Sequence, residues 1–168
     1  MNDNRTPINF SQLPKNIIDA LISTEDERFY SHSGIDFKGT LRAIFYLGKK
    51  GGASTITQQL ARNVFVEDVG NQRSSASLEA VKATYARKVR EQITAVYIER
   101  LYTKQEILTM YLNKVYFGHG AHGLKAATRY YFDKDVADLD VPESALLAGL
   151  LKAPNGYSPI RRPKRALK

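Results

Sequence analysis

The feature that most constrains the fold is a carboxylate set into a helical apolar stripe. Ile18, Leu21, Ile22 and Phe29 recur at the spacing of one face of a 3.6-residue helix, and Glu25 falls on that face, four residues from both Leu21 and Phe29. The spacing predicts a helix that opens near Pro14 and ends near Gly34, with Asp26 and Glu27 pointing elsewhere. A carboxylate on a core-facing stripe is costly unless it is paired or lines a cleft. Desolvation in a cleft suits an acid/base catalyst, because it disfavours the ionised form. The alternatives are an ion pair with a basic neighbour and a helix that stops before Glu25.

Hydrophobic residues make up 43% of the 168-residue chain and charged ones 25%, which suits a single domain with a real core. No run of about 18 apolar residues is present, so nothing reads as spanning a bilayer. The absence of cysteine excludes disulfides, thiolate zinc sites and cysteine nucleophiles. A formal net charge of +8 favours an anionic partner: nucleic acid, lipid headgroups or a phosphorylated substrate. The basic tail Arg161-Arg162-Pro163-Lys164-Arg165 closes no element, so an anchor or a second domain is expected outside residues 1–168.

The remaining segments read as helices. A second helix is expected from Asp36 to Leu47, with apolar Leu41, Ile44, Phe45 and Leu47 beside Lys38 and Arg42. It packs on the core or lies on an anionic membrane surface. Gly51 to Asn63 leads small residues into a polar helix start, where free backbone N–H groups suit phosphate and Gln58 and Gln59 suit sugar hydroxyls. The glycine spacing and Gly-Lys-Ser/Thr ending of a nucleotide-binding loop are missing there. Residues 66–77 read as a surface loop. A long helix follows over Leu78–Tyr102, with Leu78, Val81, Tyr85, Val89, Ile93 and Val96 as its expected core stripe. Arg87, Lys88, Arg90 and Glu91 lie on its other side, as a solvated face or as a basic patch for phosphates with one embedded carboxylate.

Thr103-Lys104-Gln105-Glu106 and Asp140-Val141-Pro142-Glu143 are capping boxes, and each predicts a helix start. The first helix carries Ile107, Leu108, Tyr111, Leu112 and Val115 and should stop at Gly118. A short helix covers residues 122–132, and a last apolar one ends at Lys152-Ala153-Pro154. His32 reads as a turn-fixing residue. His119 and His122 have ligand-like spacing without a nearby acid, so a metal site is not expected. No alternating strand appears, and the fold class is mainly α.

Five of these stretches, in order, resemble the peptidoglycan glycosyltransferase family. That family is the polymerising domain of class A penicillin-binding proteins and of the monofunctional transglycosylases. The stretches are Glu25-Asp26 through Phe29, His32 and Gly34; Gly52 through Gln58-Gln59 and Asn63; Arg87-Lys88 through Glu91, Ala95 and Glu99; Tyr111-Leu112-Asn113 through Tyr116-Phe117-Gly118; and Ala145 through Lys152-Ala153-Pro154-Asn155 and Tyr157-Ser158-Pro159. The resemblance covers nearly the whole chain and implies one lysozyme-like, bilobal helical domain over residues 1–168 with a cleft between its lobes.

The resemblance also implies the chemistry. The substrate would be lipid II, a disaccharide-pentapeptide on undecaprenyl pyrophosphate, joined with inversion into β-1,4 glycan strands. The family's catalytic base falls on Glu25. Its second glutamate falls on Glu91, near the pyrophosphate, acting directly or through a divalent cation such as magnesium or manganese; no other cofactor is implied. Ser54, Gln58 and Gln59 would line the donor site, and Arg62 stands where the family often has lysine. Arg87, Lys88 and Arg90 would neutralise the leaving pyrophosphate. Arg73 is a candidate phosphate contact in the loop before the long helix.

The expected partners are lipid II, the growing glycan strand, moenomycin-type inhibitors, and a membrane surface touched by Ile44, Phe45, Tyr46 and Leu47 beside Lys49 and Lys50. The expected location is the outer face of the bacterial cytoplasmic membrane. Three rival readings remain: a glycan hydrolase of lysozyme type, which needs no pyrophosphate site; a basic nucleic-acid-binding module, for which no recognition pattern is evident; and a degenerate family member that only binds lipid II as a scaffold, against which all the key motif residues are present.

Overall fold

The computed structural model describes residues 7–45, 54–65 and 78–166, apart from the side chains of residues 43–45, 65, 78–83 and 166. Among them are eight α-helices: α1 (Lys15–Glu25), α2 (Phe37–Phe45), α3 (Ile56–Phe65), α4 (Leu78–Leu101), α5 (Lys104–Lys114), α6 (Leu124–Phe132), α7 (Val141–Lys152) and α8 (Pro163–Ala166). The only extended pairing among the described residues is one antiparallel bridge, Tyr116 with His122, so the chain is mainly α. No helix among them is long and apolar enough to cross a membrane. The expectations for Tyr46, Leu47, Lys49, Lys50, Gly51, Gly52 and Arg73 lie outside the described residues.

Three packings build the core. Helix α1 buries Ile17 and Leu21 and lies along α7, which turns Leu147, Ala148 and Leu150 inward. Helix α3 packs between α4 and α5. Ile56 and Leu60 of α3 join Phe29, Ile107, Leu108, Tyr111, Leu112, Phe117 and Leu124 in one cluster with those helices. Each fully buried aliphatic or aromatic side chain contributes roughly 1.5–3 kcal/mol.

Both capping boxes form. Thr103 accepts from the Glu106 amide and Asp140 from the Glu143 amide, and each glutamate reaches back to its cap. Asn113 pins the N-terminal segment, since its side chain both accepts from and donates to the Ile8 backbone at 2.9 Å.

Three expectations change. The first helix stops at Glu25 instead of running to Gly34, because Asp26 leaves helical geometry and gives its side chain to α3. Helix α5 stops at Lys114, and Gly118 (φ +94°) sits in the turn beyond it. The largest correction concerns α4. Tyr85, Val89 and Ile93, read as core, are more than half exposed, and Val96 is only half-buried. The side chains of Leu78 and Val81 are not described. The buried face carries Glu91, Ala95 and Ile98 instead. Apolar periodicity picked the wrong side because the inward face is held by ion pairs as well as by hydrocarbon.

Candidate active site

Glu25 is the last residue of α1 and lies half-buried at the mouth of a cavity of about 290 Å³. The cavity is lined by Thr24, Glu25, Ser54, Gln59, Arg62, Leu151 and Lys152, contributed by α1, α3, α7 and the residue pair that leads into α3. Gln59 Nε2 donates to Glu25 Oε2 at 2.8 Å, and the Tyr111 hydroxyl donates to Gln59 Oε1 at 3.0 Å. Burial pushes the Tyr111 hydroxyl up, and the negative charge of Glu25 adds to the shift beyond what nearby Arg62 offsets, so the phenol stays protonated.

Asp26 turns the other way and builds the frame. Its side chain is nearly buried, and it accepts from His32 Nε2 at 3.0 and 3.1 Å and from the Ile56 amide at 2.9 Å. The Ile56 amide is the first of α3, so the carboxylate sits where the helix dipole favours negative charge. Nδ1 of His32 accepts from the Gly34 amide at 3.2 Å, which leaves the proton on Nε2 for Asp26. His32 is thus the turn-fixing residue its position predicts.

Thr55 caps α3. Its Oγ1 accepts from the Gln58 amide at 3.1 Å and donates to the Gly34 carbonyl at 2.7 Å. Gly34 (φ +91°) approaches α4 so closely that a Cβ there would lie 2.8 Å from the carbonyl carbon of Ala95. Lys104 ties the same turn to α4, bonding the His32 carbonyl and Glu99 Oε1, each at 2.7 Å.

The second centre is Glu91, whose side chain is only 1% exposed. Its Oε1 accepts from Arg87 at 2.7 Å and from Arg62 Nε at 3.2 Å, and its Oε2 accepts from Lys88 at 2.8 Å. Lys88 also reaches Ser54 Oγ at 3.2 Å. Burial alone would push the Glu91 carboxyl up. The Lys88 hydrogen bond and the charges of Arg62, Lys88 and Arg87 outweigh it and hold the carboxyl below the usual range. Three cations around one carboxylate leave a net positive charge of two beside the cavity, and each cation is more than one third exposed.

This donor set does not fit a divalent ion at rest. Both oxygens of Glu91 are already engaged by cations, and the described residues hold no group of three acidic, histidine or cysteine side chains suited to a metal. His119 bonds Ser158 Oγ at 2.9 Å and stacks on Tyr130, while His122 packs on Tyr116.

Of the residues named from sequence, Glu25, Ser54, Gln59 and Arg62 meet at the cavity, and Glu91 gathers Arg62, Arg87 and Lys88 beside it. Two are not brought there. Gln58 is 5% exposed and turns into the Gly34 loop, donating to the Gly34 carbonyl at 3.3 Å. Gln58 directly precedes Gln59 on α3, and adjacent positions on a helix point about 100° apart. Arg90 is exposed on α4, about 100° around the helix from the buried Glu91. The structural roles of Asp26 and Thr55 and the hydroxyl role of Tyr111 escaped sequence reasoning, which placed Tyr111 only in an apolar face.

A half-buried carboxylate and Arg62, one of three cations held at Glu91, line one polar cavity of a mainly helical domain. The family described as "Transglycosylase" matches residues 1–168, and this chain belongs to it. Penicillin-binding protein 1F of Bacillus subtilis is 45% identical over 167 residues, covering 97% of this chain and 22% of that protein. Penicillin-binding protein 1A of Pseudomonas aeruginosa is 43% identical over 166 residues, covering 96% and 19%. Penicillin-binding protein 1A of Escherichia coli is 42% identical over 167 residues, covering 97% and 18%. The chain spans about a fifth of the length of these curated relatives.

Proposed function

We propose that this domain is a peptidoglycan glycosyltransferase of cell-wall synthesis that polymerises lipid II. The observation that carries the reading is the cavity in which Glu25 faces Arg62, itself one of three cations held at Glu91. Glu25 takes the proton from the 4-hydroxyl of the acceptor sugar as that oxygen attacks the anomeric carbon of the donor. The new C–O bond forms as the anomeric bond to pyrophosphate breaks. Undecaprenyl pyrophosphate leaves with the electron pair, and the anomeric configuration inverts. Arg62, Arg87 and Lys88 meet the charge that develops on the leaving group. Ser54 and Gln59 line the donor side, and Glu91 keeps the cations together. No step is assigned to a divalent cation, to Gln58 or to Arg90.

The lipid tail of such a substrate stays in the bilayer, so the site works against the outer surface of the cytoplasmic membrane. Phe37 and Leu41 are exposed four residues apart on α2, beside Lys38 and Arg42, which supports contact with lipid by this helix and the Ile44–Leu47 segment at its end. A phosphoglycolipid of the moenomycin type would compete for the donor side. Cleavage of a neutral glycosidic bond needs no trio of cations, which argues against a hydrolase.

The test is lipid II polymerisation in detergent by the native protein and Glu25→Gln. The native protein should make glycan strands, and the variant should lose at least about a hundredfold in rate while binding lipid II. Equal rates would remove Glu25 as the base; shortening of added glycan would reveal a hydrolase.

A further inference from the structure

Glu25, Gln59 and Tyr111 form one hydrogen-bonded line from the cavity into the core. Its direction is set by chemistry. An ionised carboxylate only accepts, so the Gln59 NH2 must face Glu25 and its carbonyl must face Tyr111. The phenol then has to donate. Tyr111 has no solvent exposure and is fixed on α5 within the central cluster, whereas Glu25 ends α1 and lies half-buried at the cavity. The line therefore couples a carboxylate at the end of a helix to the buried core. Among the described residues only Oε2 of Glu25 has a hydrogen-bond partner, and Oε1 has none.

We propose that Tyr111 and Gln59 are positioning residues for the reaction assigned above. The Tyr111 hydroxyl orients the Gln59 amide, the amide ties Glu25 Oε2, and Oε1 is left as the atom that receives the acceptor proton. The inference rests on Glu25 being the base. A catalytic carboxylate held by a locked neighbour keeps the reacting geometry that proton transfer needs. Without the phenol, the amide can rotate and present its carbonyl to the carboxylate, which repels it.

A buried hydroxyl that merely satisfies a polar neighbour would affect stability and leave the rate per folded molecule unchanged. The two roles separate in a double-mutant cycle on steady-state lipid II polymerisation by the whole protein, with Tyr111→Phe, Gln59→Leu and the pair. We expect Tyr111→Phe to lower kcat about five- to tenfold with KM within about twofold, and Gln59→Leu to lower kcat at least as much. On the Gln59→Leu background Tyr111→Phe should change kcat by less than about twofold, because its intermediary is already gone.

Gln59→Met, of similar length and without a donor, replaces Gln59→Leu if that variant does not fold. An unchanged kcat in Tyr111→Phe, or the same loss on both backgrounds, overturns the relay alone. A native protein that forms no polymer overturns the assigned reaction and the relay with it.

Discussion

Arg62 on α3 donates from Nε to Glu91 Oε1 on α4 at 3.2 Å, so a cation that opens onto the Glu25 cavity is anchored by a carboxylate on a different helix. Glu91 acts on its neighbours through charge, with both oxygens turned to Arg62, Arg87 and Lys88. Replacing it with glutamine leaves three cations close together with no counter-charge. Since each cation is more than one third exposed, solvent screens part of the repulsion, and the loss should be about 1–3 kcal/mol rather than that of a fully buried pair. Chemical denaturation of Glu91→Gln checks this; a change under about 0.5 kcal/mol would show that the cluster holds itself without its acid.

The same carboxylate sets a pH dependence. Its folded-state pKa is depressed below that of the unfolded chain, so the unfolded state binds the proton first as the solution is acidified. The contribution of Glu91 is therefore complete above the ordinary glutamate pKa of about 4.3 and is lost as pH falls through the lower folded value. Asp36 acts in the same sense: burial pushes it up, but the Gly39 amide and Arg28 hold it low. Denaturation midpoints of native protein and Glu91→Gln, measured from neutral pH downward, should differ by a constant amount above about pH 5 and draw together as pH falls further below the ordinary glutamate pKa.

The two arginines that precede Glu91 on α4 should differ in effect. Arg87→Ala removes a cation held at 2.7 Å from Glu91 and should raise KM for lipid II by about tenfold. Arg90→Ala alters an exposed outer position and should change KM by less than about twofold. Equal effects in steady-state kinetics would place the pyrophosphate on the outer flank of α4.

Gly34→Ala should destabilise the protein by at least about 2 kcal/mol, because it adds a Cβ in a left-handed conformation against the backbone of α4. The melting temperature reports this. An unchanged value would mean that the turn can move off α4 without loss.

What the sequence made legible is where local rules and burial agree. The Thr103 and Asp140 capping boxes, the Leu21–Glu25 face and the meeting of Ser54, Gln59 and Arg62 at one cavity follow from spacing or from the family resemblance. Periodicity counts hydrocarbon, so it predicts the wrong inward face for α4. Its inward row includes Glu91, whose burial is stabilised by partners from α3 and its own preceding turn, and no pattern within α4 announces Arg62. Gln58 and Gln59 are equivalent as letters. Only the approach of the Gly34 carbonyl on one side and Glu25 on the other distinguishes them.

The contact between Gly34 and Ala95 has a further consequence. It fastens the turn that follows Glu25 to the middle of the helix that carries Glu91, while Lys104 binds that turn from a third side. Glu25 and the cation cluster at Glu91 are thereby set on one braced frame. On the function proposed above, such a frame would act as a gauge of fixed span, accepting a substrate whose reacting carbon and phosphates already stand the right number of bonds apart.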